Sequence, residues 1–210
     1  MRLLTMLLIF TSMSIAQAEN KIKMYFTNEE LVKIIQIYSK ASGQKFIVDP
    51  GVRGKVSIFV QEPVSIEEGF NHLSSALALN GYAISKQGDT MVVKASRNIQ
   101  RDLIEVSTER PAIKPERMYT WVYNVKHMTP GAISSDLRNL MSRDGEIAVS
   151  SSTNHFIFTD WVTNLNRIAD LLKEIDKPLD ASTVKLIEAS KKEKSDRKKS
   201  QMDLKLKTED

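Results

Sequence analysis

KFIVDPGVRGKVSIFV, residues 45–60, decides the fold. Lys45 to Val48 is short, apolar and β-branched, as strands are. Asp49-Pro50-Gly51 follows as a turn, because proline presets one turn angle and Gly51 and Gly54 tolerate positive φ. Lys55 to Val60 then alternates, with Val56, Ile58 and Val60 on one side and Ser57 and Phe59 on the other. A strand, a reversal and a second strand are expected, as the central strand pair of a small domain.

Working outward, each side of this unit carries an amphipathic helix. Before it, Ile22, Met24 and Phe26 alternate as a first strand, and Thr27-Asn28-Glu29-Glu30 reads as a capping box. Leu31, Ile34, Ile35, Tyr38 and Ala41 follow at helical spacing up to Gly43. After it, Ser65-Ile66-Glu67-Glu68 repeats the capping box ahead of the stripe Ile66, Phe70, Leu73 and Leu77. Tyr82–Ser85 and Met91–Lys94 alternate around Gln87-Gly88-Asp89, which reads as a hairpin. The first domain is therefore β-α-β-β-α-β-β over residues 19–96.

Residues 97–117, with Pro111 and Pro115 among charged residues, read as a linker with one strand near Leu103–Val106. A second unit spans 118–180. Met118–Val125 is an aromatic-rich strand, and Thr129-Pro130 opens a helix with Ile133, Leu137, Leu140 and Met141 facing inward. Glu146–Ser150 and His155–Thr159 form a hairpin. A helix from Asp160 then buries Val162, Leu165, Ile168, Leu172 and Ile175 before Lys177-Pro178 stops it. The fold class is α+β: two small domains, each with two helices packed on short mixed or antiparallel sheets, the second a KH-like β-α-β-β-α.

The ends differ from the body. Residues 1–18 hold Arg2, an apolar run and Ala16-Gln17-Ala18, the pattern of a signal peptide cleaved after Ala18. No cysteine follows to carry a lipid, and the chain's lack of cysteine leaves no disulfides to an exported domain. Residues 181–210 are highly charged and read as a tail that is disordered or a fraying helix, either a solvated extension or a tether to an acidic partner or membrane surface. The formal net charge is +4, yet Glu19 to Ala181 carries 20 basic and 20 acidic residues, so the basic excess sits in the tail. A nucleic-acid-binding body would concentrate it on the fold.

No catalytic constellation emerges. His72, His127 and His155 are scattered, with no metal-ligand spacing, phosphate loop or nucleophile elbow around them. Glu29-Glu30 and Glu67-Glu68 fall in expected first helical turns, where the helix dipole favours each by about 0.3–1 kcal/mol. Gly51-Val52-Arg53-Gly54 is a GxxG of the kind that clamps nucleic acid in KH domains, but there it joins helices and here it joins strands. Tyr119, Trp121 and Tyr123 share a strand face and read as core; Trp161 is placed to cover the hairpin edge. Phe59 is the exception, an apolar side chain on the outer side of an expected edge strand.

Two stretches resemble a known family. Helix, "IVDPxVxGxVxI" and a Ser-capped helix are similar to the first periplasmic domain of the secretins, the outer-membrane ring proteins of type II and type III secretion and type IV pilus systems. VKHMTPGAISSDLRNLMS, Asn154, Thr159-Asp160 and NLNRIADLLKEIDKP are similar to the second domain of that family. The resemblance implies a non-enzymatic interaction and assembly module in the periplasm, without cofactor, metal or small-molecule substrate, associated with the outer membrane through its partners. Its first domain would dock an inner-membrane component; its second would pack against copies of itself or a barrel-bearing secretin. The family's C-terminal barrel is missing from this sequence, so an accessory half or a stand-alone relative is expected. Partner-binding candidates are Ile22, Met24 and Phe26 on one strand and Lys55, Ser57 and Phe59 on the other. The first domain also resembles the signalling domain of TonB-dependent receptors, which leaves a regulatory module as the alternative, with single-stranded nucleic-acid binding behind it.

Overall fold

The computed structural model describes residues 21–99 and 104–206; the signal-peptide residues and Leu103 lie outside them. The first domain runs β1 (Lys21–Ile22), β2 (Tyr25–Glu30), α1 (Leu31–Ser42), β3 (Lys45–Val48), β4 (Lys55–Phe59), β5 (Val64–Ser65), α2 (Ile66–Leu79), β6 (Tyr82–Gln87), β7 (Thr90–Ala95) and α3 (Ser96–Ile99). The expected helices are present, with a short α3 added; the expected first strand Ile22–Phe26 is split between β1 and β2, with Lys23 and Met24 in neither, and β5 is an extra short strand.

The pairing departs from the expectation at the central unit. β3 and β4 do not pair with each other. β3 lies parallel to β7, which pairs antiparallel with β6, while β4 pairs antiparallel with β2. The intervening loop explains the separation: Asp49 accepts from the amides of Gly51 (2.7 Å) and Val52 (2.9 Å), which turns the chain, and Val52 is then buried in the core. Gly54 closes the loop at φ +121°, a conformation that only glycine adopts without strain, and its carbonyl accepts from the Leu31 amide (3.1 Å). Gly51, expected to share that role, has no positive φ.

A second correction falls at Thr27–Glu30, which is strand and not capping box. The register shifts between Phe26 and Glu29, Asn28 takes φ 51°, and its amide donates to Ser57 Oγ (2.9 Å). Pairing with β4 thus overrides the local cap signal, and α1 starts at Leu31 with no side-chain cap. Ser65 does cap α2, accepting from the Glu68 amide (3.2 Å).

The core collects Ile22, Met24, Leu31, Ile34, Ile35, Tyr38, Leu73, Leu77 and Val93. Each such aliphatic side chain contributes about 1.5–3 kcal/mol by leaving water. Tyr38 centres it, edge-on to Phe46, tilted on Phe70, with its hydroxyl donating to the Ile66 carbonyl (3.2 Å).

The second domain comprises β8 (Val106–Ser107), β9 (Met118–Asn124), α4 (Pro130–Arg138), β10 (Glu146–Ser150), β11 (His155–Trp161) and α5 (Val162–Ile175). Its sheet has the order β10-β11-β9-β8, antiparallel except for β8 against β9. Tyr119, Trp121, Phe156, Phe158, Val162, Leu165, Ile168 and Leu172 are its core. Ile175, expected to face inward, is exposed as the last residue of α5.

Residues 104–117 are docked on this domain. The Thr120 amide donates to the Glu105 carbonyl, Trp121 Nε1 donates to the Thr108 carbonyl, and Arg110 reaches Asn166 and Asp170. Residues 181–206 form one 26-residue helix, α6 (Ala181–Leu206), where a disordered or fraying tail was expected. Asp180 explains its start: its carboxylate accepts from the Ser182 hydroxyl, from the amide and hydroxyl of Thr183 and from the Ser182 amide, which holds the carboxyl well below its usual value. Lysine, glutamate and Glu193–Arg197 pairing favour its continuation.

Candidate functional site

The outer face of the β2–β4 sheet is set by register. Tyr25 stands opposite Phe59, and Phe26 opposite Ile58. Side chains alternate across a strand, so Phe26 and Ile58 turn to the core and Tyr25 and Phe59 turn out. Phe59 is 66% exposed and Tyr25 48%, their rings 5.6 Å apart and tilted at 59°. Two large aromatic rings in contact with each other and with water form an apolar spot of the kind that marks docking surfaces.

Its rim is polar. Lys55 and Ser57 are exposed on the same strand, and the Ser57 hydroxyl is committed to the bulge at Asn28. Lys33 Nζ bonds the Glu29 carboxylate (2.9 Å); that bond, with smaller help from Lys55, keeps Glu29 more acidic than usual. Among the described residues β2 and β4 each have one strand neighbour, which leaves each an open edge.

The six candidate residues therefore divide. Lys55, Ser57 and Phe59 are on the surface. Ile22 and Met24 are buried, and Phe26 is packed against the core, because the alternation that marks them as a strand also marks them as its inward face. The side chains of Ile22 and Met24 cannot meet a partner, and Phe26 is partly buried. Tyr25, which sequence reasoning missed, takes their place; its signal was the odd position between Met24 and Phe26.

The remaining candidates are structural. His72 lies on α2 near Glu68, the His127 amide donates to Asp176, and His155 opens β11. No group of three or more His, Cys, Asp or Glu among the described residues could hold a metal. In the GxxG loop the amides of Gly51, Val52 and Arg53 are already donated, the last to the Tyr82 hydroxyl (2.9 Å), so they do not face a phosphate. Trp161, rather than covering the hairpin edge, packs with Ala83, Ile99, Ile104 and Met118 between the domains. Beside it a cleft of about 570 Å³ is lined by Leu79, Glu116, Trp161, Thr163 and Arg167. Burial pushes the Glu116 carboxyl up, against the opposing hydrogen bond from Thr163 Oγ1. Among the described residues no helix is long and apolar enough to cross a membrane.

Fold and surface together define a tandem of small α+β domains that present short, open-edged sheets and an exposed aromatic pair. Comparison with known proteins supplies the family. Residues 24–93 match the family model described as GspD-like, N0 domain. The chain is 26% identical over 149 residues to the secretin XcpQ of Pseudomonas aeruginosa, covering 70% of this chain and 22% of that protein. It is 25% identical over 161 residues to the secretin GspD of Vibrio cholerae, covering 75% and 24%. It shares its fold, with a TM-score of 0.66 and 19% identity, with a chain of the Klebsiella pneumoniae type II secretion system outer membrane complex of PulD, PulS and the PulC HR domain; the match covers 74% of this chain and 27% of that one. Residues 24–93 are thus similar to the GspD-like N0 domain, and the chain resembles the N-terminal regions of the secretins. It spans about a quarter or less of the length of these relatives.

Proposed function

We propose that this chain is a periplasmic docking and assembly module of a type II secretion or type IV pilus system. The first domain engages an inner-membrane component through the β2–β4 face, and the second packs beside copies of itself or of a barrel-bearing secretin. The observation that carries this is the exposed Tyr25–Phe59 pair beside an open sheet edge. A partner strand added at such an edge gains main-chain hydrogen bonds, and the aromatic pair supplies the apolar anchor. Support comes from the N0 family match and from the company kept by the fold relative, whose solved complex contains PulS and the HR domain of PulC beside PulD.

Phe59→Glu tests the surface, with Tyr25→Ala as its companion. Full-length protein is mixed with detergent-solubilised inner membrane from its own cell, and the bound component is identified by mass spectrometry. Wild type is expected to retain an inner-membrane protein of a secretion or pilus system, and Phe59→Glu to lose it at an unchanged melting temperature. Equal retention by Phe59→Glu, or unfolding of that variant, would overturn the assignment.

A further inference from the structure

The strand that opens the central stretch has a free edge of its own, on a different sheet from the Tyr25–Phe59 face. β3 is the outermost strand of the order β3-β7-β6, and no other described strand lies beside it. The Asp49 amide donates to the Val93 carbonyl (2.9 Å), so the main-chain groups of Asp49, Ile47 and Lys45 point toward β7. By the alternation of a strand, those of Phe46 and Val48 point outward. At one end Pro50 has no N–H to offer; at the other the Gln44 carbonyl is taken by Ser39 Oγ (2.6 Å). The open edge is therefore two residues long and carries both donors and acceptors.

Side chains mark the same edge. Ile47 is 60% exposed on the sheet face away from α1 and α2, at the edge of the face on which Ala83 packs with Ile99 of α3, and solvent-facing edges ordinarily carry charge. On the other face Phe46 and Val48, with Val32, Ile35, Gln36, Ser39 and Lys40 of α1, line a groove of about 470 Å³. An added strand would lay its alternate side chains into that groove.

We infer that this edge pairs with the same edge of a second copy of the chain, antiparallel and centred on Ile47. The register follows from the free groups. Phe46 of one copy opposes Val48 of the other as a hydrogen-bonded pair, each exchanging both N–H···O=C bonds, and the two Ile47 side chains meet on the axis as a non-hydrogen-bonded pair. Charge agrees with this register and no other. Lys45, now paired with Asp89 (2.5 Å), comes opposite Asp49 of the second copy, and Asp49 opposite the second copy's Lys45. Centring on Phe46 would set Lys45 against Ile47, and centring on Val48 would set Phe46 against Pro50. The contact is isologous and closes as a two-fold dimer, joining the two three-stranded sheets.

Sedimentation velocity of the full chain over a concentration series, with Ile47→Asp and Ile47→Cys, tests this. The wild type is expected to move from monomer to dimer with concentration. Ile47→Asp sets like charges face to face on the axis and should lower the association constant by about tenfold or more at an unchanged melting temperature, since Ile47 is exposed. The protein has no cysteine, so the thiol introduced by Ile47→Cys has only its counterpart on a second copy as a partner. Cα atoms of a non-hydrogen-bonded pair lie about 4.5 Å apart, within disulfide range. Ile47→Cys should therefore cross-link to dimer under mild oxidation well ahead of the exposed control Ile113→Cys. A wild type that stays monomeric, as it would if this edge serves a strand from another protein, overturns the inference. So does a dimer that survives Ile47→Asp, or cross-linking at residue 47 no faster than at 113.

Discussion

Asp160→Ala should unfold the second domain at a urea concentration far below that of the wild type. Asp160 is fully buried at the end of β11 and accepts from four donors: the amides of Ser142 and Trp161 (each 2.8 Å), Asn164 Nδ2 (2.5 Å) and the Ser142 hydroxyl. It ties the loop after α4 to the sheet and places a negative charge at the N-terminus of α5, which has no side-chain cap of its own. On truncation Asn164 keeps its bond to the Leu140 carbonyl, whereas the Ser142 and Trp161 amides lose their recorded acceptor. Each orphaned buried donor costs about 1–3 kcal/mol, so a total near 3–5 kcal/mol is expected, with Asp160→Asn in between. That is a large part of the roughly 5–15 kcal/mol of a typical domain. Both tryptophans, Trp121 and Trp161, lie in the second domain, so intrinsic fluorescence in a urea titration reports its unfolding. Gly145 sharpens the test, because a Cβ there would run into the Asp160 carboxylate. Gly145→Ala should be costly in the wild type and much less so beside Asp160→Ala. A loss below about 1 kcal/mol for Asp160→Ala, or additive costs for the pair, would refute the assignment of Asp160 as the buried anchor.

Further outcomes follow from other contacts. Tyr123 is pushed up to about 12 by burial, reinforced by its hydrogen bond to the Asp176 carboxylate; a raised folded value means that this stability is present below pH 10 and lost as pH climbs toward 12. Absorbance titration should show Tyr123 ionising late, and Tyr123→Phe should flatten the alkaline limb of stability. At Asp176 burial pulls upward but is outweighed by hydrogen bonds from the amides of Lys126 and His127 and from Tyr123, leaving the carboxyl below its usual value. Its contribution is present above about pH 4 and lost as pH falls further, so Asp176→Asn should weaken the domain at neutral pH and flatten its acid denaturation. Gly54→Ala combines a φ of +121° with a Cβ 2.8 Å from Asn80 Oδ1 and should cost about 1–3 kcal/mol in thermal melts of the first domain. Arg110→Ala removes the tie to Asn166 and Asp170, and hydrogen exchange should rise over residues 104–111 before it rises in α5.

The sequence carried element types far better than element partners. The stripes of α1, α2 and α5 and the hairpin at Gln87-Gly88-Asp89 are local patterns, and the structure keeps them. What failed was non-local. Nothing within KFIVDPGVRGKVSIFV says that β3 pairs with a strand more than 40 residues later while β4 pairs with one that came before. The same competition turned Thr27–Glu30 from cap to strand, since hydrogen bonds to β4 decide that backbone. For the candidate site, alternation correctly put Phe59 outside, but the same alternation put Ile22 and Met24 inside. The strap at 104–117 was hidden because its cohesion rests on Arg110 and main-chain bonds rather than on an apolar pattern.

The buried anchor also bears on how the two domains are held. Asp160 receives the Ser142 hydroxyl, Ser142 Oγ receives the Asp144 amide (3.3 Å), and the Asp144 carboxylate receives Ser96 Oγ (2.7 Å) and Arg97 Nε (3.3 Å) from the first domain. Arg97 is largely exposed, so its ion pair contributes little; the part-buried Ser96–Asp144 bond and the apolar cluster of Ala83, Ile99, Met118 and Trp161 carry the joint. Loss of Asp160 frees the Ser142 loop and with it Asp144. Asp160→Ala should then raise hydrogen exchange at Ser96 and Arg97, across the domain boundary, while Asp144→Ala should do so without destabilising the second domain by more than about 1 kcal/mol. If Asp160→Ala leaves Ser96 and Arg97 as protected as in the wild type, the joint depends on the apolar cluster alone. The β2–β4 face would then be oriented relative to the second domain by packing and not by this chain of hydrogen bonds.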